Sequence, residues 1–338
     1  MWLMRVCTRI FFIIFGGSDM KKLCTAVLMI MFLTAILSIG AIKASEAADR
    51  IKIGLSMAER DQWLSSLETA VVNAAREKQD VDFTAFDSQR DVQKQIDHVN
   101  TFASQNFDAI IINLVEESNT EGILKAAGKI PVIFVNRTPD PDYLVPGQTA
   151  YVGSDEQHSG GLQAQFLAEY FKDKEPKTLR YVLFMGILGL PHTNMRTQSV
   201  KDGLEAAGFE LERIFEDTAE FDRAIAMAKM QQFLGTGRDF DVVIANNDEM
   251  ALGAIEAMKV VGKTGIPVVG IDATPSALDV IESGELTASV FQDATGQGAG
   301  AFELAYKVAK GGVLEAEKWI PFELVTKENY LEYKPRSK

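Results

Sequence analysis

The sequence predicts an α/β chain of two doubly wound parallel-sheet lobes, and three observations predict it. Short β-branched runs alternate with longer stretches whose apolar residues recur at helical spacing. The short runs are apolar throughout rather than at every second residue. The whole rhythm then restarts near residue 179. Continuous apolar strands separated by helices belong to parallel sheets covered on both faces. Two successive sets of about five strands make two such sheets rather than one long one.

The elements follow in order. IKIGLSM (51–57) reads as the first strand and QWLSSLETAVVNAAREK as the amphipathic helix after it. VDFTAFD (81–87) precedes DVQKQIDHVNTFASQ, and AIIINLV (109–115) precedes TEGILKAAGK. PVIFVN (131–136) leads through a Pro-rich loop to AYVGSD. The second set comprises LRYVLFMG (179–186), VVIANN (242–247), PVVGID (267–272) and TASVFQD (287–293). A chain of 338 residues, 47% hydrophobic and 24% charged, has enough material for two cores of this kind.

Residues 1–47 stand apart from that pattern. From Met20 the chain reads MKKLCTAVLMIMFLTAILSIGAIKASEA, with two lysines ahead of a long apolar run and a small-x-small site at Ser45-Glu46-Ala47. This is the pattern of a secretory signal peptide cleaved near Ala47, with a retained membrane anchor as the alternative. The apolar stretch 1–19 precedes a complete signal, so Met20 is the expected start of translation. The leader holds both cysteines, Cys7 and Cys24, which leaves the exported chain without thiol or disulfide. It also holds five of the 34 Lys/Arg and two of the 47 Asp/Glu, so the remainder carries a net charge of −16. Such a surface repels nucleic acid and anionic lipid headgroups.

In open parallel sheets, ligands sit beyond the carboxyl ends of the strands. The runs above end on Asp87, Asn113, Asn136-Arg137, Asn247, Asp272 and Gln292. Taken singly, Asn and Asp there are ordinary turn and N-cap residues, the reading given to Asp87, Asn113 and Asp248. Asn136, Arg137, Asn247, Asp272 and Gln292 together exceed what capping requires, and an arginine at a strand end is no cap. Catalytic signatures are missing: the sequence has no Gly-x-Ser-x-Gly elbow, Walker loop or His-Glu-x-x-His. The glycines of GQGAGA (296–301) fall inside a helical pattern and read as close helix packing. His98 and His158 read as solvated helix residues, and His192 stands alone in a glycine-proline loop. No nucleophile is assembled with a base, so an enzyme is not expected.

The segments IANNDEMALGAIEAM, VVGIDATPSAL, FDSQRDVQKQIDHV, AIIINLVE and AYVGSDEQHSG resemble the periplasmic type I sugar-binding proteins of ABC importers. The likeness spans residues 50–330 and is greatest to the D-galactose/D-glucose-binding members, with the ribose-binding ones more distant. It implies two lobes joined by a three-segment hinge, one of 49–153 plus 293–322 and the other of 154–292 plus 323–338. It also implies a sugar held between them. Asp61 and Trp63 fall where the family contacts sugar from its first loop, Asn136 and Arg137 on its contacting pair, and Arg196 on the second lobe's arginine. Phe221 falls on its stacking aromatic, and Asn247, Asp272 and Gln292 on its remaining polar contacts. These residue types suit a polyol: flat rings for the C–H faces, with carboxylates and forked guanidiniums for the hydroxyls.

Two departures limit the carry-over. In GILGLPHTNMR the family's His and Asp contacts are Leu190 and His192, so one acceptor carboxylate is lost and one partner is apolar. The calcium loop of the galactose/glucose binders is absent from KDKEPKTLRYVL, and neither a metal nor a cofactor is expected. The ligand implied is a small neutral sugar or polyol: a pentose, hexose, deoxysugar, furanose or cyclitol. The resemblance further implies a monomer in the periplasm that docks an ABC permease with its ATPase, and it allows a chemoreceptor as a partner. The alternative is a sensor for chemotaxis or signalling without import. A transcription repressor of the same fold would need a helix-turn-helix where the signal peptide stands.

Overall fold

A computed structural model describes residues 50–337, so the leader, its cleavage site and both cysteines lie outside the described residues. From Ile51 onward the chain forms one compact unit built on two six-stranded sheets. The first contains β1 (Ile51–Met57), β2 (Val81–Asp87), β3 (Ala109–Ile112), β4 (Val132–Val135), β5 (Thr149–Gly153) and β11 (Glu317–Trp319). Their order is β11-β5-β4-β3-β1-β2, with every pair parallel. The second contains β6 (Thr178–Met185), β7 (Glu210–Thr218), β8 (Val242–Ala245), β9 (Val268–Val269), β10 (Ala288–Phe291) and β12 (Glu323–Thr326), in the order β12-β10-β9-β8-β6-β7. Only β12 runs antiparallel, against β10.

The uninterrupted apolar runs are explained by burial on both faces. In β3, Ile111 packs into one core with Leu55, Ile133 and Phe302, while Ile110 and Ile112 face the opposite core with Phe102 and Phe134. Helices α1 (Gln62–Arg76), α2 (Val92–Ser104) and α3 (Thr120–Ala127) cover the first sheet. Helices α4 (Glu156–Tyr170), α5 (Pro191–Ala206), α6 (Arg223–Leu234), α7 (Asp248–Val260) and α8 (Pro275–Ser283) flank the second. Helix α9 (Ala294–Ala309) returns to the first sheet, and the short α10 (Tyr330–Tyr333) ends on the second. GQGAGA lies within α9 as close packing: a Cβ on Gly298 would fall 2.7 Å from the Ala70 Cβ of α1.

Each sheet has six strands where the sequence pattern gives about five. The additions are β7, whose ELERIFEDT intersperses charged residues among apolar ones at the sheet edge, and the short β11 and β12. The chain passes between the sheets three times, after β5, after β10 and after β11. Both sheets place a strand of early sequence at an interior switch point, β1 between β2 and β3 and β6 between β7 and β8. The carboxyl ends of their strands therefore open a crevice toward one another.

Candidate functional site

All ten residues singled out from the sequence line one cavity between the lobes, and Leu64 and Leu190 complete its wall. Its empty volume is about 420 Å³. From the first lobe come Asp61, the N-cap of α1, and Trp63 in the first turn of that helix. Asn136 and Arg137 follow β4. The second lobe supplies His192 and Arg196 from one face of α5, Phe221 from the turn before α6, Asn247 capping α7, and Asp272 just beyond β9. Gln292 lies on the second crossing between the sheets. Asn136, Phe221 and Asp272 have φ of 63°, 63° and 123°, backbone that non-glycine residues adopt at a cost. Unfavourable backbone persists where the surroundings over-determine it, as they do around this cavity.

Arg196 is the most heavily engaged group. It is 4% exposed. Its Nε donates to Glu156 Oε2 at 2.5 Å, Nη1 to the Asn246 carbonyl at 2.8 Å and Nη2 to Gln292 Oε1 at 3.2 Å. Arg137 is held within the first lobe: Nη1 donates to the carbonyls of Leu114 and Val115 at 3.0 and 3.3 Å, and Nη2 to Glu59 Oε1 at 2.7 Å. Most of the forked donors expected to serve a ligand are therefore committed to the protein itself. They fix the guanidiniums in place. The Trp63 indole N–H is likewise committed to the Gln292 carbonyl at 3.2 Å, so this ring presents a face rather than a donor. Phe221 rests directly over Gly186, where a Cβ would fall 2.0 Å from the ring.

Several polar atoms in the same wall have no protein partner. The Asp272 carboxylate accepts no hydrogen bond from any described residue; its nearest cation, Arg196 Nη1, is 4.0 Å away. Burial pushes it well above the ordinary carboxylate range, the neighbouring Asp248, Asp61 and Glu156 push it further, and Arg196 opposes them. Asp61 is raised by burial and partly restrained by the Leu64 N–H, which its Oδ1 accepts at 2.7 Å. Burial lowers His192 below the usual histidine range, so its ring is neutral. Its Nε2 lies 3.1 Å from the Asn136 carbonyl, which only accepts, so Nε2 carries the proton. Nδ1 is then a buried acceptor without a partner, and Gln292 Nε2 is a buried donor without one.

Several sequence-based readings need correction. Asn247, not Asp248, caps α7: its Oδ1 accepts the Met250 N–H at 3.0 Å, and its Nδ2 donates to the Phe221 carbonyl at 3.3 Å. Asp248, fully buried, braces the next strand end instead, accepting from Ser289 Oγ at 2.7 Å and Thr274 N at 3.0 Å. Asn113 is no turn residue either; its amide bonds the Val135 carbonyl and Asn136 Oδ1, at 3.2 and 3.3 Å, from within the core. His98 is half-buried, stacked on Phe86 with Nδ1 3.0 Å from Ser56 Oγ. His192 opens a helix rather than standing in a loop. Glu156, Asn246 and Glu59 escaped notice because acids and amides after strands read as caps. The signal that would have found Glu156 is that a buried arginine requires a carboxylate.

Residues 53–312 match the model of the periplasmic binding protein domain. A putative rhizopine-binding protein of Rhizobium meliloti is 38% identical over 305 residues, which cover 88% of this chain and 97% of that protein. The D-galactose/methyl-galactoside binding periplasmic protein of Haemophilus influenzae is 34% identical, covering 87% of this chain and 94% of its own length. Among solved structures, an ABC transporter solute binding protein from Bacillus halodurans with bound myo-inositol superposes with a TM-score of 0.78 at 38% identity, covering 85% of this chain and 98% of the other.

Proposed function

The chain belongs to the periplasmic binding protein family, and on that premise we propose that it is an extracytoplasmic receptor for one neutral polyol ring, a monosaccharide or a cyclitol. It captures the ring between its lobes and delivers it to an ATPase-driven permease in the membrane. One observation carries the reading. The wall of one interlobe cavity combines two ring faces from opposite lobes with acceptors and donors that no protein group satisfies. Hydroxyl groups supply both halves of the missing pairs: they donate to the Asp272 and Asp61 carboxylates and to His192 Nδ1, and they accept from Gln292 Nε2. Leu190, where the galactose/glucose binders present a polar group, narrows the requirement to a ring with one fewer hydrogen-bonding demand there. The myo-inositol complex of the Bacillus halodurans relative supports a cyclitol within that class.

The energetics are compatible with tight capture. A dissociation constant of about 1 μM corresponds to about −8 kcal/mol. Spread over roughly a dozen heavy atoms this is about −0.7 kcal/mol per atom, within the ceiling for small ligands. Net gains of about 0.5–1.5 kcal/mol per hydrogen bond reach that total only when closure desolvates the site and most bonds form. Neither lobe holds the full set of contacts, so ligand binding favours the closed state differentially.

A thermal-shift screen of the mature chain against myo-inositol, D-galactose, D-ribose, L-arabinose and xylitol tests the proposal. A true ligand at about a hundred times its Kd adds about 2.7 kcal/mol of apparent stability. At least one member is expected to raise Tm in the wild type and not in Asp272→Ala. A panel without effect on the wild type overturns the reading.

A further inference from the structure

Glu59 does not line the cavity, yet its carboxylate is shared between a cavity arginine and a contact that spans the cleft. Oε1 accepts from Arg137 Nη2 at 2.7 Å, and Oε2 accepts from Arg90 Nε. Arg90 in turn reaches the other lobe, its Nη1 meeting Glu220 Oε2 at 3.1 Å and its Nη2 the Glu220 carbonyl at 3.4 Å. Glu220 directly precedes Phe221, which lines the cavity. Arg90, Glu220 and Phe221 have φ of 62°, 56° and 63°. Strained backbone on both sides thus aims these side chains across the gap.

We infer that Glu59 is a positioning residue that ties the ligand-facing Arg137 to an interlobe lock formed by Arg90 and Glu220. The inference rests on the receptor reading above. Arg137 is buried and Glu59 is nearly so, at 8% and 12% side-chain exposure, whereas Arg90 and Glu220 are half-exposed at 43% and 47%. A ligand that fixes Arg137 fixes Glu59, and a fixed Glu59 presents Arg90 to Glu220. Coupling of this kind is reciprocal, so the closed lock also holds Arg137 in its liganded position. The continuous ladder Arg137–Glu59–Arg90–Glu220 distinguishes this arrangement from a surface ion pair that happens to lie near a cleft. A lock made only of exposed charge also weakens with salt, which leaves release of cargo open to modulation at the surface.

The mature chain has no cysteine, so Lys129→Cys and Arg238→Cys accept one spin label on each lobe without further change. Interlobe distances are measured by electron–electron double resonance in the unliganded protein and with myo-inositol, and stopped flow gives the rate constants for myo-inositol. Glu220→Gln and Arg90→Gln, which touch no ligand, are expected to lengthen the unliganded distance and to raise the myo-inositol dissociation rate about two- to fivefold at unchanged association rate, the scale of a half-exposed pair. Glu59→Gln is expected to cost roughly tenfold or more, since a buried guanidinium loses its carboxylate. The double variant Glu59→Gln/Glu220→Gln should lose no more than Glu59→Gln alone. Losses that multiply in the double variant, or unliganded distances that Glu220→Gln and Arg90→Gln leave unchanged, overturn the inference. Should the wild type bind no polyol, the receptor reading fails, and the unliganded distances alone still decide whether the lock exists.

Discussion

The two arginines of the cleft, Arg137 in the first lobe and Arg196 in the second, have the same chemistry and opposite surroundings. Arg196 is neutralised by Glu156, whose side chain is 2% exposed, and its remaining donors end on Asn246 and Gln292 within the molecule. Arg137 is neutralised by Glu59, which passes the connection outward to Arg90 and across the gap. The Arg196 charge is thus balanced within the second lobe, although Asp272 beside it stays without a hydrogen-bond partner among the described residues. The first lobe completes its balance only through contacts that closure makes. Two arginines, one after a strand and one on a helix face, therefore do unequal jobs, and the distinction comes from where each counter-ion leads.

Three substitutions break or sharpen that contrast. The largest effect is expected for Arg196→Ala, which abandons a fully buried carboxylate. It should abolish polyol binding and lower unfolding free energy by about 3–5 kcal/mol in urea denaturation. Arg137→Ala should also abolish binding but cost only about 1–3 kcal/mol of stability, because Glu59 retains Arg90. Equal stability losses for the two would remove the asymmetry. Next comes Asp272→Asn. Its carboxylate has no protein hydrogen bond and is raised by burial, so neutralising it should weaken binding at least tenfold in calorimetry while leaving Tm level or higher. A clear drop in Tm would mean that Asp272 holds the fold rather than the ligand.

Last comes a pH dependence: burial pushes Asp248, the buried acid beneath the same strand end, up to a pKa of about 7. An acid with a raised folded pKa keeps its proton in the native state while the unfolded chain releases it near pH 4, so stability declines as pH rises from about 4 to about 7. Asp248→Asn should remove that decline, and the stability gap between variant and wild type should move in the variant's favour from pH 5 to pH 7.5. A gap that moves the other way, or not at all, shows that the group stays ionised throughout.

Much of this was legible from residue order. Apolar runs such as AIII and VVIA declared buried parallel strands, and amides and charges beyond them declared a cleft. What stayed hidden depends on partners distant in sequence. β7 was invisible because an edge strand with one wet face looks like charged surface. That Asn247 rather than Asp248 caps the helix was invisible because adjacent polar residues at a helix start differ only in direction, and direction is fixed by Ser289 and Thr274 on other segments. Glu59 and Glu156 were overlooked for a similar reason. A carboxylate near a turn carries no mark of the guanidinium that will come to meet it.

The depth of the bowl under Phe221 depends on an atom that is not there. Because Gly186 leaves no room for even a methyl group beneath the ring, any larger residue at that position would be transmitted upward as a raised floor. The inventory of cargo this scaffold can accept is set partly from below, by the smallest residue in the wall's foundation, and a redesign for thinner or bulkier cargo would begin there.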